Sequence, residues 1–197
     1  MSRYRAKSWR TFDPSAPVAV LPAPRLSAVP RVRILGLDPG SRRTGFGLVD
    51  CDGGGSIHVA HGCIAGTGAT LSERLRAVFE GVRDLLDQHR PDEVAIERVF
   101  VNRNIDSALK LGHARGAALC AVPRAVPVFE YSPRAIKLAV VGFGGAEKLQ
   151  VAQMVRTLLN LQTRIGADAA DALAVAICHA HSRGVHALTR PRGAARQ

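Results

Sequence analysis

The chain has 197 residues, 47% hydrophobic and 22% charged, which suits one soluble domain of ordinary size with tails. No uninterrupted apolar stretch is long enough to span a bilayer, so a membrane-spanning helix is excluded and the cytoplasm is the expected compartment. The formal charge of +11 points to a polyanionic partner. That excess sits mostly in the tails, with six Arg/Lys against one acid in residues 1–31 and four Arg against none in 183–197. Composition alone therefore does not establish nucleic-acid binding. Cys51, Cys63, Cys120 and Cys178 form no C-x-x-C pair, which argues against a zinc site and fits reduced thiols. His179 and His181 are two apart on an expected helix and face different ways, a poor basis for a metal site.

Residues 1–31 hold five of the eleven prolines and read as a disordered Pro/Arg-rich extension. A first strand is expected over about 32–38, ending on Asp38. Pro39-Gly40-Ser41 turns the chain into a second strand over about 44–51. The run Asp52 to Ser56 is a hairpin turn by composition, followed by a third strand over about 57–65. From Leu71 the period changes. Leu71, Leu75, Val78, Phe79, Val82, Leu85 and Leu86 repeat at i, i+3, i+4, an amphipathic helix stopped by Arg90-Pro91.

Val94 to Ile96 is a short buried strand with Glu97 at its end. Phe100 to Asn104 is a polar loop, and a helix is expected from about Asp106 to Val122. Small residues from Gly112 to Ala118 suit that helix to close packing on a sheet or another helix. Val128 to Tyr131 is a fifth strand, and Ser132-Pro133 starts a helix through about Val140. Residues 147–161 are expected to be helical, as are Asp168 to about Ser182, with Asp168 as the cap. The order β-β-β-α-β-α-β-α-α gives an α/β fold: a five-stranded mixed sheet with helices on both faces. The folded domain spans 32–182, and 183–197 is a basic flexible tail.

Asp38 and Glu97 end two strands in the same way, an apolar run and then a carboxylate. Asp168 and Asp171, at i and i+3 on one helix, have Cβ atoms about 5–6 Å apart and repel. If the two strands are neighbours and the last helix crosses them, four carboxylates share one site. Such a set suits a hard, oxygen-seeking ion such as Mg²⁺. Two ions about 3.5–4 Å apart clamp a phosphodiester, and Lys137 or Lys148 is placed to stabilise the developing charge.

Several linked motifs carry a resemblance over about residues 32–182. They are L-G-L-D-P-G-S-R-x-T-G at 35–45, A-I-E-x-V-F at 95–100, N-x-D-S-A-L-K-L-G at 104–112, V-F-E-Y at 128–131, V-V-G-x-G-x-A-E-K at 140–148 and D-A-A-D-A-L-A at 168–174. In these the chain resembles the RuvC-type Holliday junction resolvases. The resemblance implies a ribonuclease-H-like fold and a homodimer on four-way DNA junctions. It implies paired symmetric nicks leaving 5′-phosphate and 3′-hydroxyl ends, in recombination and repair. It makes Asp38, Glu97, Asp168 and Asp171 the catalytic Mg²⁺ ligands, with two ions per site and Mn²⁺ as a substitute. Phe100 resembles the aromatic that stacks at the junction centre. Arg103, Lys137 and Lys148 are the further expected DNA contacts, and the RuvA/RuvB branch-migration complex is the implied partner. The family usually begins near Arg33, so residues 1–31 depart from it.

Three other readings compete. A ribonuclease-H-like RNA-processing enzyme would share the carboxylates. A phosphotransferase of the actin and sugar-kinase class would share the first turn but needs a second, duplicated domain. A DNA-binding module without activity would fit the basic tails, but acids beside phosphate would work against it.

Overall fold

The computed structural model describes residues 31–52, 55–98 and 105–189, with side chains described to residue 183. The N-terminal extension to residue 30, the loop carrying Phe100 and Arg103, and the end of the basic tail lie outside the described residues. The five strands are β1 (Val32–Asp38), β2 (Arg43–Cys51), β3 (Ser56–Ala65), β4 (Glu93–Glu97) and β5 (Val128–Tyr131). The helices are α1 (Leu71–His89), α2 (Ile105–Ala121), α3 (Pro133–Val141), α4 (Lys148–Leu158) and α5 (Ala167–Thr189).

The sheet order is β3-β2-β1-β4-β5. The first three strands form an antiparallel meander, and β4 and β5 pair parallel to β1. This is the expected mixed sheet. Alternation along each strand divides the residues between two cores. Leu35, Leu37, Leu48, Val94 and Ile96 pack with Val78, Val82 and Leu86 of α1 and Ala118 of α2. Ile34, Val49, Ala95 and Tyr131 pack on the other face with α3, α4 and α5.

Helix α5 lies unusually close to the sheet. A Cβ placed on Gly36 would overlap the carbonyl oxygen of Ala172, and one on Gly45 would overlap that of Asp168. One on Gly47 would come within 2.7 Å of Leu173 side-chain carbons. The opposing stretch of α5 is rich in alanine, and Ala170, Ala172, Ala174 and Ala176 are all essentially buried. Small residues on both surfaces let the two backbones approach.

A polar network secures the far half of α5. The fully buried His179 bonds the Tyr131 hydroxyl through Nδ1 at 2.7 Å and the Glu93 carboxylate through Nε2 at 2.7 Å. Phe129 packs on the same imidazole with ring centroids 4.2 Å apart. Arg183 donates to both Glu93 oxygens, at 2.8 and 3.3 Å. His179 is therefore a structural residue. Arg183, counted from sequence with the basic tail, is a helical residue tied to the sheet.

Four ends of the last two helices differ from expectation. Helix α4 ends at Leu158 because Asn160 takes a left-handed conformation (φ 51°) that closes the helix earlier. Glu147 caps α4 from outside, its N–H donating to the Gln150 side chain at 2.8 Å. Asp168 does not cap α5: the Gly166 carbonyl accepts the first ladder bond, from Ala170, and Asp168 falls inside the first turn. That leaves its carboxylate available to the sheet. Helix α5 also runs past Ser182 to Thr189.

Gly36→Ala is expected to lower stability by about 3 kcal/mol or more in urea unfolding, the upper range for overpacking, because the obstacle is backbone. A loss under about 1 kcal/mol would show that α5 can retreat from the sheet.

Candidate active site

Asp38 is the last residue of β1, and its cross-strand partner on β2 is Gly45. On the other side, Leu37 stands opposite Ile96 of β4, so the next residues, Asp38 and Glu97, lie side by side. Gly45 in turn faces Cys63 of β3. One row across the sheet end thus reads Cys63, Gly45, Asp38, Glu97. Directly opposed residues project from the same face, here the face covered by α5. The gap at Gly45 admits the first turn of α5, which brings Asp168 and Asp171 over the row.

The turn after Asp38 is locked by the fully buried Thr44. Its hydroxyl donates to the Gly40 carbonyl at 3.0 Å and accepts from the Gly40 N–H at 3.3 Å. Glu97 is held from behind by Arg115 of α2, whose Nε donates to the Glu97 carbonyl oxygen at 3.3 Å. The same guanidinium approaches Glu130 of β5 at 2.8 Å.

The inner acids are electrostatically frustrated. Burial, then the charges of Glu97 and Asp171, push Asp38 up to about 7, with Lys148 opposing. Burial and Asp171 also raise Glu97, against a hydrogen bond from the Asp38 side chain and the charges of Lys148 and Lys137. The outer acids carry exposed cations. Arg43 Nε lies 2.6 Å from Asp168 Oδ2, and Lys148 Nζ lies 3.0 Å from Asp171 Oδ2. The Asp171 carboxylate raises Lys148 above the ordinary ammonium value.

Glu97, Asp171, Lys137 and Lys148 line one pocket of about 200 Å³, floored by Ile136, Val151 and Ala174. The structure thus brings together Asp38, Glu97, Asp168, Asp171, Lys137 and Lys148. Phe100 and Arg103 lie outside the described residues. Arg43, Cys63 and Arg115 were not singled out from the sequence as site residues: Arg43 fills the variable position of the first motif, and Cys63 and Arg115 reach the site only through the pairing of distant elements.

An all-oxygen donor set of partly buried, mutually repelling carboxylates fits a hard divalent cation better than a soft one. Among the described residues, no three acid, His or Cys side chains are gathered tightly enough to hold an ion as they stand.

The strand order, the α5 cover and the acids at one sheet end define a class, the ribonuclease-H-like nucleases. The family model for crossover junction endodeoxyribonuclease RuvC matches residues 34–179. The chain belongs to that family. A RuvC from Xanthomonas axonopodis pv. citri is 56% identical over 154 residues, covering 77% of this chain and 88% of the relative. The RuvC of Halorhodospira halophila is 54% identical over 166 residues, covering 83% and 99%. Among solved structures, T. thermophilus RuvC in complex with a Holliday junction substrate matches with a TM-score of 0.73 and 34% identity. That match covers 79% of this chain and 96% of the other. The yeast mitochondrial Holliday junction resolvase Ydc2, 15% identical with a TM-score of 0.61 over 83% of both chains, shares the fold.

The raised inner acid has a stability consequence. Asp38 titrates near 3.8 when unfolded and near 7 in the fold. Below about pH 4 both states are protonated and the shift costs nothing. The cost grows between the two values and is complete above about pH 7, with a ceiling of about 4 kcal/mol. Asp38→Asn is therefore expected to raise the melting temperature of the metal-free protein at pH 8 by ~5 °C or more, and to change it little at pH 4. Equal effects at both pH values would show that burial charge is not the cause.

Proposed function

We propose that the protein resolves four-way (Holliday) DNA junctions by paired, symmetric hydrolysis of phosphodiester bonds, in recombination and repair in the cytoplasm. The observation that carries this reading is the row of Asp38 and Glu97 with Asp168 and Asp171 above it, in a chain of this family. Asp38, Glu97, Asp168 and Asp171 are the residues that would hold Mg²⁺, two ions per site, with Mn²⁺ able to substitute. When bound, the metal supplies an activated water and stabilises the leaving 3′ oxygen. The carboxylates supply fixed oxygens for it and orient the attacking water. Lys137 and Lys148, on the pocket wall, meet the extra charge of the pentacovalent phosphate. Products carry 5′-phosphate and 3′-hydroxyl ends.

The nuclease domain is assigned to 32–182, with the basic residues of the flanks 1–31 and 183–197, Arg183 excepted, adding phosphate contacts. Phe100 stacks on a base at the junction centre, as the resemblance implies, and Arg103 is a further DNA contact. RuvA/RuvB branch-migration proteins are the assigned partners on the same junction.

A homodimer provides the symmetry of two nicks, and α2 offers the surface for it. Ile105 is 69% and Leu109 58% exposed, and Gly112 and Gly116 have open space where a Cβ would point. These residues share one helix face, with the bulky pair in one half and the glycines towards the other. Two copies packed antiparallel about an axis near Gly112 put Leu109 of one on Gly116 of the other, so the face is self-complementary. Arg115, on the same helix, ties that interface to Glu97.

Two outcomes follow. On a synthetic four-way junction in Mg²⁺, Asp38→Asn is expected to retain binding while cleavage falls by at least about 10²-fold, with linear duplex and RNA–DNA hybrid uncut by either protein. Binding by the wild type without cleavage in Mg²⁺ or Mn²⁺ would overturn the enzyme reading. Separately, Leu109→Glu is expected to sediment as a monomer and to lose paired nicking. A dimer unaffected by that change would move the interface off α2.

A further inference from the structure

Position 43 is the place that the motif G-S-R-x-T-G leaves open, and here it is arginine. It lies on β2 two residues before Gly45, so its side chain rises on the α5 side of the sheet. Its Nε is 2.6 Å from Asp168 Oδ2, and the Cys63 thiol donates to that same oxygen at 3.7 Å. The Arg43 side chain is 66% exposed and that of Asp168 36% exposed. Lys148 repeats the arrangement on the opposite flank, 83% exposed and paired with Asp171. Each helix acid of the site is therefore held by a cation that solvent can reach.

An exposed ion pair of this kind is weak and opens readily. A divalent cation competes well for a carboxylate already placed among other carboxylates. The guanidinium stays charged once displaced, and its planar fork of donors suits a phosphate. Arg43 is anchored at the end of the sheet, beside the acids where the scissile strand must lie. We propose that Arg43 is an exchangeable counter-ion: it holds Asp168 while metal and DNA are absent, yields it to the metal, and then pairs with a backbone phosphate of the DNA. The inference rests on the metal-dependent junction-cleavage reading above. Arg43 thereby becomes a positioning residue that couples the two ligands, each favouring the other through the release of one side chain.

The test uses full-length wild type, Arg43→Gln, Arg43→Lys and the Arg43→Gln/Asp168→Asn double variant. Mn²⁺ binding without DNA is followed by electron paramagnetic resonance of the free ion. Junction binding is followed by fluorescence anisotropy across a KCl series, in Ca²⁺ and in EDTA, with strands verified uncut on denaturing gels. Arg43→Gln is expected to bind Mn²⁺ about 5-fold or more tighter than wild type, because its competitor is gone. In Ca²⁺ the slope of log K against log salt is expected to fall by about one phosphate contact, while in EDTA it stays unchanged. Arg43→Lys should restore the wild-type slope. Adding Arg43→Gln to Asp168→Asn should no longer tighten Mn²⁺ binding. Unchanged or weaker Mn²⁺ binding by Arg43→Gln would make Arg43 only a brace for Asp168 and overturn the exchange, as would an unchanged salt slope in Ca²⁺. A wild type that binds neither Mn²⁺ nor the junction would instead bring down the underlying reading, and the inference with it.

Discussion

The close approach of α5 to the β1–β2 hairpin governs the rest of the molecule. It depends on glycines at 36, 45 and 47 facing an alanine-rich helix, so that backbone meets backbone where side chains would normally intervene. The candidate site follows from that contact. Gly45 is the residue opposite Asp38, and its missing Cβ is the gap into which the Asp168 turn descends. With any larger residue there, the helix acids would be lifted off the strand acids, and the four carboxylates would no longer form one electrostatic unit.

Strand β4 shows how the surroundings, rather than the residue type, assign a role. Glu93 and Glu97 begin and end the same five-residue strand and project from the same face. Burial raises Glu93, but hydrogen bonds from Arg183 and His179 outweigh it and hold the carboxyl below its ordinary value. Glu97 is raised instead by its burial and by the Asp171 charge, which outweigh a hydrogen bond from Asp38 and the charges of Lys148 and Lys137. One glutamate is satisfied within the fold and fastens α5. The other stays under repulsion that Lys148 and Lys137 offset only in part, a common sign of a functional rather than structural carboxylate. The molecule holds α5 firmly at its His179 end and leaves its Asp168 end electrostatically unfinished.

The cations around the site follow the same division. Arg33 binds Asp50 through two contacts, at 2.8 and 3.0 Å, at the far end of the sheet, where it closes the β1–β2 hairpin against the end of α1. Arg115 is mostly buried and braces the backbone at Glu97. Arg43 and Lys148 are exposed and pair with acids that a ligand would need. At the site, the mostly buried Arg115 is a fixed brace, while the exposed Arg43 and Lys148 are free to exchange partners.

The sequence by itself determined the order of elements, the two carboxylates at strand ends and the i, i+3 pair on the last helix. Each of these is local: an apolar run, a Pro-Gly turn or a helical spacing. Whether the Asp38 and Glu97 strands are neighbours stayed a condition in the sequence, and the parallel pairing of β4 with β1 met it. What the sequence left open depends on residues far apart in the chain. Residue type placed Asp168 at a cap, but the ladder started two residues earlier, at the Gly166 carbonyl, and turned Asp168 towards Arg43, 125 positions away. Period-two alternation puts Glu93 and Glu97 on one face without distinguishing them. Only the fold decided between them, because it delivered His179 and Arg183 to one and Asp38 and Asp171 to the other, and a carboxylate's protonation and role are set by the charges and burial it meets in three dimensions.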